Sequence, residues 1–434
     1  MLNQKKSRRF IDSYSFLRGN VGVLMVARTV WSFSRMGVDS FFSLYIVALG
    51  GSASVMGLFS MLGSVAQFIT RPIGGYLADS ADRRKVIALF TVTLSLAYLC
   101  YAFAPNVTGL LIGTFIVNLC FIQSPSLQSL VADSLSDEQM AIGYSTQIAI
   151  ERITPFLLAF IGGILIENIG ILSGVRIGYA GSVLGGLLVA YIRYRFLKET
   201  RDNPTTSFSP RSIPAMIVKA YQEIFSIVGN MSRELKVLTL IAILGSTAGL
   251  LTGPFWAIYA TEIIGLSPSQ LGFIIMVSGI LGVVTSLFSG HLVNKVGRKR
   301  TMVVSFLLIA MLTLSFVYCQ TFQHVLAFWS LTSVVIAFLT PAFQALFMSI
   351  VPREQRGRAL AAVGLNLFNF LRYNPGMMAG FGFLAYIPAI AVALASGYIY
   401  EFNPMYPWFL LSISLIVVAA LTFFFIREPT KPET

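Results

Sequence analysis

Long apolar runs, broken by short polar clusters, fill the chain from about residue 20 to residue 426. The run from Val86 to Ala132 carries no charge for 47 residues. As one helix it would be about 70 Å long, whereas roughly 20 apolar residues cross a bilayer core. It therefore folds back, and Ala104-Pro105-Asn106 supplies the turn. The run from Thr301 to Pro352 turns in the same way near Gln320-Thr321-Phe322-Gln323. Applied throughout, the pattern predicts twelve helices at 21–48, 53–76, 85–104, 107–128, 140–166, 175–195, 236–262, 268–292, 300–319, 324–349, 358–400 and 407–426.

Composition agrees. Of the 434 residues 56% are hydrophobic and 11% charged, less than half the roughly 25% typical of soluble domains. Too little polar surface remains to cover a globule in water. Cys100, Cys120 and Cys319 all lie in apolar runs and read as packing residues rather than a disulfide framework. The basic start carries no small-residue cleavage site, so a cleaved signal peptide is not expected.

A net charge of +13 raises the question of nucleic acid, and the cation positions answer it. If both termini share one side, that side holds 25 of the 31 Lys and Arg, clustered before residue 20, at 83–85, 193–236, 295–300, 353–358 and after 426. The opposite loops hold Arg176, while Arg28, Arg35, Arg71, Arg152 and Arg372 fall within spans. This is the positive-inside asymmetry; a nucleic-acid surface would not alternate with the loops. The expectation is an all-α, multi-pass protein of the cytoplasmic membrane with both termini cytoplasmic. Its short loops point to a prokaryotic inner membrane.

The chain also repeats itself. Gly75-Tyr-Leu-Ala-Asp79-Ser-Ala-Asp82-Arg83-Arg84 returns 215 residues later as Gly290-His-Leu-Val-Asn294-Lys295-Val-Gly297-Arg298-Lys299. Pro125-Ser-Leu-Gln128 returns as Pro341-Ala-Phe-Gln344 at an offset of 216. Two pairs at half the chain length indicate a duplicated six-helix unit: a bundle at 1–198, a linker at 199–232 and a second bundle at 233–434. With these motifs the sequence resembles the major facilitator superfamily across its length. That family's loop pattern is Gly-x-x-x-Asp-(Arg/Lys)-x-Gly-(Arg/Lys)-(Arg/Lys). The first copy departs from it at Ser80 and Asp82, the second at Asn294. The resemblance implies two pseudo-symmetric bundles, a cavity lined by the first, fourth, seventh and tenth helices, and an inner latch at these loops. Physically, Gly75 and Gly290 would allow close helix packing, Asp79 would accept bonds from a neighbouring helix start, and Arg83 and Arg84 would face headgroups and a partner carboxylate.

Ionisable side chains at membrane depth are costly and so are candidates for function. Arg28, Arg35 and Asp39 share one stripe of a continuous first helix, with Arg35 and Asp39 one turn apart. Glu151 and Arg152 lie mid-span on the fifth helix and Arg372 on the eleventh. Ser60, Ser64, Gln67 and Arg71 share a face of the second helix; Thr252, Trp256 and Tyr259 share one on the seventh. Such faces converge on a water-filled cavity or lock helices together. Asn366 and Asn369 read as interhelical glue, and Arg71 as a side chain able to snorkel. The second half carries about sixteen extra residues between 373 and 400, where Tyr373-Asn374-Pro375-Gly376 would break the eleventh helix.

No catalytic constellation, metal set or phosphate loop is visible, and a cofactor is not expected. The remaining reading is secondary transport of a small solute by alternating access, as a monomer contacting lipid, with protons as a candidate coupling ion. Two substrate classes stay open: drug-like amphipaths exported with Asp39 or Glu151 changing protonation, and organic anions met by the in-span arginines. The family's antiporter signature is not met, because Thr154-Pro155 is followed by Gly162-Gly163 only after six residues. A non-transporting sensor on the same scaffold is the reading of another class, disfavoured by the lack of a long soluble tail.

Overall fold

Polar side chains set the helix starts. In the computed structural model Ser52, Asp82, Asn106, Ser232 and Thr321 each accept a hydrogen bond from a backbone amide of the first turn they precede. Ser267 and Gln270 form a reciprocal capping box, with Pro268 at the first helical position. The structure describes residues 15–200, 231–351 and 382–427, a few positions between these stretches, and only some side chains within 137–152.

The described elements are α1 (Asn20–Arg35), α2 (Phe42–Ala48), α3 (Ala53–Ser80), α4 (Arg83–Ala102), α5 (Val107–Leu119), α6 (Ser124–Asp133), α7 (Asp137–Ile169) and α8 (Ile171–Phe196) in the first half. The second half holds α9 (Arg233–Thr252), α10 (Trp256–Ile258), α11 (Pro268–Val296), α12 (Arg298–Phe316), α13 (Phe322–Ile350), α14 (Tyr386–Phe402) and α15 (Tyr406–Phe425). Ten helical stretches among the described residues are long and apolar enough to cross a membrane.

The first predicted helix is not continuous. Met36 and Gly37 take positive φ values of 51° and 72°, and a short 3-10 turn at Val38–Phe41 leads into α2. Gly37 permits this because its α-carbon lies against the backbone of Leu158 on α7, where a side chain would clash. The seventh predicted helix likewise passes through α10 into a π-helical turn at Tyr259–Ile263. The eleventh is not one rod from 358 to 400 either. Gly364 has φ 77°, α14 begins only at Tyr386, and the α-carbon of Gly382 abuts the backbone of Val363. In a continuous helix those two would stand about 28 Å apart. The Tyr373-Asn374-Pro375-Gly376 break itself lies outside the described residues.

Within the first half α8 packs on α1 and α4, and α3 packs on α5 and α6; within the second, α15 packs on α9 and α12, and α13 on α11 and α12. Two seams join the halves, α3 on α14 and α7 on α11, while α2 meets α10 between them. Glycines make the seams close. A Cβ on Gly57 would lie 2.7 Å from the carbonyl oxygen of Ala393, and one on Gly397 would lie 2.5 Å from that of Ala53. Gly272 and Gly163 abut the carbonyls of Ala159 and Pro268 in the same way. All four lie toward the end away from the basic loops. On α11 the packing thins toward the basic end: Leu271, Ile274 and Ile275 are fully buried, whereas Leu287 is 75% and Phe288 68% exposed. The halves are thus clasped at the far end and part toward the basic one.

Candidate functional site

Arg35 ends α1 and bonds Asp39 across the Met36-Gly37 break, Nη1 to Oδ2 at 2.5 Å. Its other Nη donates to the Tyr98 hydroxyl, and the guanidinium rests 5.2 Å from the Trp31 ring centroid. Tyr179 donates to Asp39 Oδ1 at 3.4 Å and stacks on Tyr98. The pair therefore sits inside the first bundle, among α1, α4 and α8, and not at the divide between the halves. At the offset of 214 that relates Tyr45 to Tyr259, its counterparts are Gly249 and Gly253, so the charge pair belongs to one half only. Arg28 is exposed on α1, two turns before Arg35 on the same stripe, and is within electrostatic reach of Tyr98.

Trp256 and Tyr259 are 2% and 1% exposed, within the second bundle. Trp256 meets Trp329 edge-on at 4.9 Å, and the Tyr259 hydroxyl donates to the Val317 carbonyl at 3.2 Å. Tyr45 makes the matching bond to the Tyr101 carbonyl in the first half, at 2.8 Å. Both tyrosines tie a broken helix to its neighbour.

Gln67 does reach the divide. Its amide nitrogen donates to Asn118 Oδ1 at 3.1 Å, and its oxygen accepts from the Tyr386 hydroxyl of α14 at 3.1 Å. Arg71, one turn on, also approaches Tyr386. Phe68 stacks on Phe383 with centroids 5.3 Å apart, and Met61 and Leu250 pack around the same tyrosine. A polar knot wrapped in apolar and aromatic groups thus lies where α3, α5, α9 and α14 converge. Sequence reasoning missed Asn118 and Tyr386. Asn118 was findable, as a lone amide inside the uncharged run. Tyr386 was not, because its register depends on the extra residues before it.

The basic loops hold their own halves together. Arg83 is 7% exposed; its Nε donates to the Ala78 carbonyl at 2.8 Å and its Nη1 to Asp133 and to Thr200 Oγ1. Arg84 lies over Tyr194, and its backbone amide donates to Glu199. Asp82, not Asp79, is the acid at a helix start: it caps α4 by accepting from the Lys85 amide at 3.0 Å. Burial works to raise the Asp82 pKa, but bonds from Lys85 and Glu199 outweigh it and the carboxyl stays below its ordinary value. Asp79, Asn294 and Lys295 are exposed. Nothing lies within 4 Å of a Cβ at Gly75 or Gly290, so the close packing expected there is not formed; it falls on Gly74, against the Ile122 carbonyl. The halves are apart at this end, which leaves Gly75 and Gly290 in open space. Gly297, with φ 103°, makes by backbone freedom the turn that Asp82 makes by capping. Arg298 donates to the Ala345 carbonyl at 3.1 Å, and Lys299 lies over Phe423. Arg193, grouped by sequence with the basic linker, is turned into the first bundle, where it donates to Thr91 and Gln123. Arg372, Asn366 and Asn369, and the side chains of Glu151 and Arg152, lie outside the described residues.

A profile of the Major Facilitator Superfamily matches residues 24–246 and again 237–434. A multidrug resistance efflux pump PmrA homolog of Lactococcus lactis is 25% identical over 400 residues, 90% of either chain. The quinolone resistance protein NorA of Staphylococcus aureus is 24% identical over 246 residues, 56% of this chain and 59% of its own. Among solved structures, a bacterial homolog of the human lysosomal transporter Spinster, inward-facing and unoccupied, superposes with a TM-score of 0.69 at 16% identity, over 94% of this chain and 97% of that one.

Proposed function

Because the chain belongs to the Major Facilitator Superfamily, we propose that it exports drug-like amphipathic molecules across the cytoplasmic membrane, driven by a proton gradient. It is a transporter and not an enzyme. The observation that carries the export reading is a likeness to a multidrug pump along 90% of both chains. The geometry fits it: two halves clasped at one end offer a space that rocking would expose alternately, and the junction at Gln67 and Tyr386 is mostly apolar and aromatic. The basic end faces the cytoplasm and both termini lie there, as the cation distribution supports. The protein works as a monomer in contact with lipid, with units at 1–198 and 233–434.

Proton coupling is assigned to Glu151 rather than Asp39. Asp39 is already engaged by Arg35 in a direct ion pair inside the first bundle, whereas an acid at mid-span on α7 needs a function to offset its cost. Reconstitution into liposomes with an imposed pH gradient tests this, with a fluoroquinolone, a lipophilic cation and an aromatic carboxylate as probes. Gradient-driven flux of the first two is expected, and Glu151→Gln should abolish its dependence on the gradient. Flux of the carboxylate alone would favour the organic-anion reading instead.

A further inference from the structure

At the clasped end a carboxylate sits on each seam. Glu167, in the last turn of α7, accepts from the Ser267 hydroxyl and the Ser269 amide, both at 3.0 Å with Oε2. These two residues open α11 in the other half. Glu401, in the last turn of α14, accepts from the Ser54 amide at 2.9 Å, at the start of α3, again in the other half. The two contacts are copies of one another. Ser52 and Ser54 map to Ser267 and Ser269 at the repeat offset of 215, as Gly57 maps to Gly272. Glu167 maps to Glu401 at 234, as Ala159 maps to Ala393 and Gly163 to Gly397. Below each carboxylate lies the glycine contact of its seam.

We infer that Glu167 and Glu401 are twin proton-sensitive latches holding the outer end of the transporter shut. Each carboxylate faces the partial positive charge of a helix start across the divide, and each is exposed to outer water. Ionised, it fastens its seam; protonated from the outside, it keeps an acceptor but loses the charge that made the bond strong. Other charges nearby are few. Glu262 is within electrostatic reach of Tyr400, next to Glu401, but lies in the same half and bonds neither seam. The start of α11 and the start of α8 present no charge to Glu167; Arg176 on α8 is engaged by the Ala104 carbonyl. The inference takes only its sidedness from the proposed function and makes no use of substrate.

Spin labels at Thr108→Cys and Gln323→Cys, in the first turns of α5 and α13 in opposite halves, read the gate in liposomes when Cys100, Cys120 and Cys319 are changed to Ala. The distance between them should lengthen as the outer pH falls below about 4, the ordinary carboxylate range, where glutamates gain protons. Glu167→Gln with Glu401→Gln should raise the open-to-closed ratio about tenfold at pH 7, equal to about 1.4 kcal/mol, and flatten the pH response. Glu262→Gln, which removes a charge from the same end but from neither seam, should leave the neutral-pH distance unchanged. The inference is overturned if the double variant keeps the wild-type distances and pH response, or if Glu262→Gln opens the gate equally. A transporter that gates as described but moves no probe would overturn the export reading alone.

Discussion

At the residue scale the Arg35–Asp39 pair shows what spacing can and cannot foretell. Four residues apart, the two were expected to meet, and they do, but not on the helix that the spacing assumed. The chain breaks between them, and the pair faces Tyr98 and Tyr179 inside one bundle. Position along the chain gave the partner; the azimuth depended on Gly37 fitting against Leu158, a contact made by residues far apart in sequence. The pair reads as a brace. Asp39→Asn leaves a mostly buried guanidinium without its counter-charge, a loss of about 3–5 kcal/mol where burial is complete. Thermal unfolding in detergent should show a lowered midpoint, with Arg35→Leu and Asp39→Leu together recovering most of it. A variant that unfolds normally yet transports without gradient dependence would make Asp39 a coupling residue after all.

At the element scale, caps and turns were legible and interruptions only in part. Asn106 and Thr321 start helices where Pro105 and the polar run at 320–323 placed turns, since a side-chain acceptor at a helix start is a local property. The break in the first helix leaves only Gly37 as a local mark, its strain met by tertiary contact, whereas that in the seventh falls at Gly253-Pro254, a helix-breaking pair inside a long apolar run. Asp82, which stands where the family pattern has glycine, makes the local rule testable. Asp82→Ala should destabilise the first half by about 1 kcal/mol, seen as faster hydrogen exchange over the first turns of α4. Its folded-state pKa is lowered, so its contribution is present above the ordinary carboxylate value and is lost as pH falls through the folded one. The wild-type and Asp82→Ala exchange rates should therefore converge below about pH 3.

At the scale of the whole molecule, the repeat read from two loops extends to the seams. Each half offers a serine-capped helix start to the other's acidic helix end, and neither closes the end away from the basic loops alone. Bulk at one seam should therefore be felt by both. Gly397→Ile is expected to leave the protein folded but to hold the Thr108–Gln323 distance long at every pH, a shift that Glu167 cannot reverse. The two offsets, 215 before the inset and 234 after it, differ by 19, not the expected sixteen or so, and the surplus falls between Val363 and Gly382, the residues found back to back, rather than at 373–400. Both of them correspond to a single position in the first half, Ile148 of the unbroken α7. The surplus stretch is thus sewn in at one stitch: its ends enter and leave through the same point, and the ancestral register resumes on the far side undisturbed. A change in the number of residues between Val363 and Gly382 would therefore leave α14 in register on α3.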